Sequence, residues 1–159
     1  MTASNLTDEE ITRLISLPKI VENPRAKSRT VGKHIQIDYR VISDDGKHEF
    51  AMFTRQSTVI NDSFTAGLRW ISKSGESVML LRANGSSHPH SNKLEADRFE
   101  FQCHIHRATE RYIAAGKKDE GFAEPTSEYK TLSGALDTLV KICNVTGLST
   151  TPEERDLFE

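Results

Sequence analysis

The chain has 159 residues, with 21 Lys and Arg against 23 Asp and Glu, a net charge of −2 and 36% hydrophobic residues. That length suits a single domain, residues 1–159, with one buried core, and the slightly acidic balance excludes a surface that attracts nucleic acid everywhere, so any contact with phosphate has to be local. No apolar run approaches the ~20 residues of a membrane span and the first residues do not resemble a secretory leader, while Cys103 and Cys143 lack Cys-x-x-Cys spacing, so the expectation is a soluble, cytoplasmic protein without membrane partners.

The first predicted element is a helix. Thr7 and Glu10 have capping-box spacing, Leu6 and Ile11 are placed as a staple, Ile11, Leu14 and Ile15 form one apolar stripe, and Pro18 stops it. Residues 19–33 hold Lys19, Arg25, Lys27, Arg29 and Lys33 against the single acid Glu22 and show no amphipathic period; they read as an irregular basic arm. From residue 34 the period becomes two. "HIQIDYRVIS", "HEFAMFTRQS", "FTAGLRWIS" and "SVMLLRA" form four strands of a meander, the first pair joined through Asp45-Gly46.

A long loop, 84–97, then leads to a fifth strand, "RFEFQCHIH", expected to turn Phe99, Phe101, Cys103 and Ile105 inward and to leave Glu100, Gln102, His104 and His106 on the polar side. "RATERYIAAGKK" reads as a helix ended by Gly116, residues 119–130 as an acidic loop, and "LSGALDTLVKICNV" as the clearest amphipathic helix, with Leu136, Leu139, Val140 and Cys143 on one side. The tail 148–159 opens on a second capping box at Thr151 and is marginal on its own. The predicted fold is α+β: a twisted five-stranded antiparallel sheet, a meander, with the N-terminal helix and the 132–144 helix packed on its apolar face.

Four of the six histidines fall in two His-x-His pairs, His88 with His90 and His104 with His106, and 13 residues separate the pairs. A simple hairpin would leave the pairs on the order of 20 Å apart. They converge only if the long loop folds back over the polar face of the fifth strand. Should they do so, two chemistries follow. Two imidazoles on one strand face can grip a metal ion. Alternatively, they can act as base and acid in cleaving RNA at its 2′-hydroxyl, which needs positive charge at the phosphate but no metal. On that second reading His104, His106, His88 and His90 are the candidate catalytic groups and Glu110 fixes an imidazole tautomer. Arg107, Arg111, Asn92, Lys27 and Arg29 then bind substrate. No phosphate-binding loop, dinucleotide glycine fingerprint, nucleophile elbow or zinc-finger spacing is present.

The segments "FTRQ", "LRANGSSHPHSN", "FQCHIHRATERY" and "YKTLSGALDTLVKICN" together resemble a family of small uncharacterised bacterial and phage proteins carried by mobile elements, over roughly residues 50–145. The resemblance implies an accessory protein, toxin-like or inhibitory to a host system. His88, His90, Asn92, His104, His106 and Glu110 match the family's polar motif. The function expected first is therefore metal-independent ribonuclease action, with no cofactor, RNA as substrate and an antitoxin or host target as a protein partner. A non-catalytic inhibitor that binds a host protein comes second, and a metal-binding enzyme built on the histidine cluster third.

Overall fold

The computed structural model describes residues 1–148. The first helix, α1 (Asp8–Ser16), has the expected capping box, Thr7 accepting from the Glu10 amide while the Glu10 carboxylate accepts from the Thr7 amide, and it buries Ile11, Leu14 and Ile15. Next come β1 (Lys19–Val21), β2 (Arg29–Val31), β3 (His34–Ser43), β4 (Glu49–Ser57), β5 (Phe64–Ile71), β6 (Ser77–Asn84), β7 (His90–Asn92), β8 (Asp97–Phe99), β9 (His104–Arg107), α2 (Glu110–Ala114), β10 (Phe122–Pro125), α3 (Leu132–Ile142) and β11 (Val145–Thr146).

Nine strands make one sheet in the order β10-β9-β6-β5-β4-β3-β1-β11, with β2 also paired to β3; β7 and β8 form a separate two-stranded ribbon. All pairings are antiparallel except β1 with β11. The fold is thus mixed α and β with a dominant antiparallel sheet, but the expected five strands are too few. The meander β3 to β6 is present as read. The basic arm is not irregular: it contributes β1 and β2, strands of three residues, too short for a period of two to show in the sequence.

One face of the sheet is the core. Tyr39, Met52 and Leu68 lie opposite one another across β3, β4 and β5, and Val41, Phe50 and Trp70 form the next row. The sequence predicted this row structure from alternation. Helix α3 covers it, burying Ala135, Leu136 and Leu139. A charged group enters this core. Lys19, on β1, is 0% exposed, and its Nζ donates to the carbonyls of Ile15 (2.7 Å), Leu17 (2.8 Å) and Cys143 (2.8 Å), the C-terminal ends of both α1 and α3.

The fifth predicted strand is the largest correction. Only residues 104–107 join the sheet, as β9, and residues 97–99 pair with β7 instead. Phe101 stays 64% exposed, whereas His104 and His106 are 0% and 4% exposed, so the histidines lie inward and not on an open polar side. The cause is cover. The β7–β8 ribbon folds back over the face that His104 and His106 share, and a period of two reports two faces without saying which is covered. The predicted helix over 107–118 is limited to the five residues of α2, which closes with Gly116 at φ 68°. The second capping box at Thr151 lies outside the described residues.

Candidate metal centre

His104 and His106 project from the same side of β9 because they are two residues apart on a strand. Their ring centroids are 4.9 Å apart. The fold-back of β7 brings His90 against both, 4.7 Å from His106 and 5.7 Å from His104. One ring nitrogen of each of the three lies within 4.8 Å of the others. Tetrahedral zinc with ~2.1 Å bonds to nitrogen places its ligands roughly 3.4 Å apart, so the three rings would have to close by about 1 Å onto an ion.

The hydrogen bonds define which nitrogen is free. His104 Nδ1 meets the Gln102 carbonyl at 2.9 Å and His106 Nδ1 meets the Glu120 carbonyl at 2.9 Å. A carbonyl only accepts, so both Nδ1 atoms carry the proton and both Nε2 atoms present lone pairs. Those two Nε2 atoms are buried and have no partner in the protein. His90 is tied by the opposite nitrogen: its Nε2 donates to the Gly121 carbonyl and to Asn92 Oδ1, both at 2.9 Å, which leaves Nδ1 as its lone pair. Three imidazoles, each oriented from behind by an oxygen acceptor, are the arrangement in which metal-binding histidines are held. Burial also keeps His104 and His106 neutral, as ligation demands. It drives the pKa of His104 down to about 4 and, with the Arg82 guanidinium nearby, that of His106 down to about 2.

Asn92 is the fastening of this site. Its Oδ1 accepts from the Ala123 amide and its Nδ2 donates to the Ala123 carbonyl, each at 2.8 Å, so one side chain pairs with β10 as a strand neighbour would. Asn92→Ala leaves both main-chain groups of Ala123 without this partner and is expected to lower stability by about 2 kcal/mol. Urea denaturation checks this. An unchanged midpoint would mean that the ribbon is held by something else.

The other residues singled out in the sequence divide clearly. His88 is exposed at the mouth of the cluster, its ring 5.4 Å from that of His104. Glu110 touches no histidine: its carboxylate accepts from the Asp8 amide and its own amide donates to Asp8, joining α2 to the start of α1. Arg107 is on the core side of β9 and donates to Thr12 Oγ1, and Arg111 pairs with Glu95 beside the Phe122 ring. Arg29 is committed to Asp38 on β3, and Lys27 is exposed on the same arm; neither residue joins the cluster. Two residues at the centre were not read from the sequence. Arg82 lies directly opposite His106 across β6 and β9, and Glu120 lies 3.5 Å from the Arg82 guanidinium while its main-chain oxygen holds His106. Only Arg82 carried a signal, namely its place in the outward-facing set of β6.

No curated protein and no solved structure matches the chain. A family model does match, over residues 6–148, and the chain belongs to that family, a family of unknown function (DUF6978).

Proposed function

We propose that this member of the DUF6978 family is a metalloenzyme in which His90, His104 and His106 hold one divalent transition metal of the zinc class, and that the site hydrolyses phosphate esters. The observation that carries the reading is the pair of buried, unpartnered Nε2 atoms on two rings grouped with a third tied imidazole. Buried lone pairs without a donor are costly, and an ion satisfies them together. Three protein ligands leave a tetrahedral ion one open position, the pattern of catalytic sites, where the metal supplies a water of lowered pKa.

The remaining work falls to the chain. The carbonyls of Gln102, Glu120 and Gly121 fix the ligand tautomers. Arg82, next to His106 and steadied by Glu120, offers positive charge to a phosphoryl oxygen. Metal-independent cleavage of RNA ranks lower, because it asks one imidazole to be protonated at neutral pH and burial opposes that for both His104 and His106. A surface-binding inhibitor would have no use for the cluster.

Protein purified without chelator is expected to carry about one zinc per chain by elemental analysis and to hydrolyse a simple phosphodiester. Stripping the metal should abolish hydrolysis and readdition should restore it. Zinc that is neither retained nor stabilising in thermal melts would end the metal reading. Bound zinc without hydrolysis of any phosphate ester would end the catalytic half.

A further inference from the structure

The side of the sheet that α3 leaves open continues from the histidine centre. Phe53 on β4 lies opposite Gly67 on β5, Gly67 opposite Arg82 on β6, and Arg82 opposite His106 on β9. Three strand spacings cover ~14 Å. Gly67 makes room for an aromatic ring: a Cβ there would meet the Phe53 ring at 2.6 Å, so the ring leans over the glycine. Around Phe53 stand Arg55 on the same strand and Arg40 and Arg69 on the flanking strands, two positions along in the register. Arg40 and Arg69 are exposed, and Arg55 and Phe53 are half-buried.

Of the acids on this side, Asp38 is taken by Arg29 and Glu120 by Arg82 and Lys118. Glu22, whose amide donates to the Arg40 carbonyl, and Glu49, two positions from Ala51 on β4, are exposed and form no ion pair with these arginines. Among the described residues no ion pair engages Arg40, Arg55 or Arg69.

We propose that this face binds single-stranded nucleic acid, one base stacking on Phe53 and the flanking phosphates meeting Arg40, Arg55 and Arg69. An aromatic set among arginines on an open sheet suits unpaired bases, which expose a ring face that a duplex hides. A net-acidic protein can do this where arginines gather locally, as Arg40, Arg55 and Arg69 do around Phe53. The row through Gly67 and Arg82 then leads the backbone to the histidine centre; that last step rests on the metalloenzyme reading, whereas the binding does not.

The test is fluorescence anisotropy of the metal-stripped full chain with a labelled single-stranded oligouridylate of about ten nucleotides. Binding is expected, with a duplex of equal length weaker. Phe53→Ala should weaken it roughly tenfold. Arg40→Glu with Arg69→Glu, both exposed and so compatible with folding, should weaken it at least as much and reduce the salt slope by about 1.4. No binding at low salt, or equal binding of duplex with indifference to Phe53→Ala, would overturn the proposal. Because metal is absent throughout, neither result depends on the fate of the zinc reading.

Discussion

His106→Gln is expected to cost zinc affinity about two to three orders of magnitude, measured by competition with a chromophoric chelator. Zinc binding to folded sites is worth ~10–16 kcal/mol shared over the ligands, so the loss of one imidazole removes roughly 3–4 kcal/mol. His106 suits the test because it is held from both sides. It is 4% exposed, its Nδ1 is committed to the Glu120 carbonyl, and its Nε2 is buried without a partner. Glutamine keeps polarity and most of the volume, so the folded chain should survive, and its melting temperature without metal provides the control. Unchanged affinity in a folded variant would remove His106 from the site.

His88→Gln discriminates further. His88 stands at the mouth, its ring against His104 and its Nδ1 3.3 Å from Ser87 Oγ, and it is exposed. If the fourth coordination position is open for water, this substitution costs affinity no more than about tenfold. An effect as large as that of His106→Gln would make His88 a fourth ligand and the site a closed, structural one, and the hydrolytic proposal would fall while the metal remained.

What the sequence disclosed of this arrangement follows from which interactions are local. The meander from β3 to β6 was legible because each strand is long enough to repeat its alternation and Asp45-Gly46 marks its first turn, Gly46 having φ 72°. Helix α3 was legible from its apolar spacing, and α1 from a cap that involves residues three apart. The histidine centre depends on contacts between distant segments, and there local pattern misleads. In "RFEFQCHIH" the alternation of Phe99, Phe101, Cys103 and Ile105 is real, yet Phe99 packs on the rings of His90 and His104 and Phe101 is exposed. The fold-back of the loop was legible only as the condition for the pairs to meet. Its means, an asparagine side chain bonding both main-chain groups of Ala123, 31 residues away, has no sequence signature.

Lys19→Met is expected to have the largest effect on stability, a loss of about 4 kcal/mol, or roughly 10 °C in melting temperature. The sequence placed Lys19 in an irregular basic arm. In the fold its Nζ is enclosed and gives its three protons to three carbonyls at helix C-terminal ends, those of Ile15 and Leu17 at the end of α1 and Cys143 at the end of α3, with the Phe50 ring 4.9 Å away. Two helix C-termini, each a site of partial negative charge, thus converge on one cation. Methionine fills the volume and satisfies none of the carbonyls. The ammonium form nevertheless suffers from enclosure, which lowers its pKa from 10.5 to about 8. The sign of the pH effect follows. Between about 8 and 10.5 the unfolded chain binds more protons at this position than the folded one, so the contribution of Lys19 to stability rises with pH across that window. Urea denaturation of both proteins at pH values through the window measures it: the wild type should gain stability relative to Lys19→Met as pH increases. Equal stability of the two at neutral pH would show that the three carbonyls find water instead, and a parallel pH dependence would show that Lys19 titrates as an ordinary surface lysine.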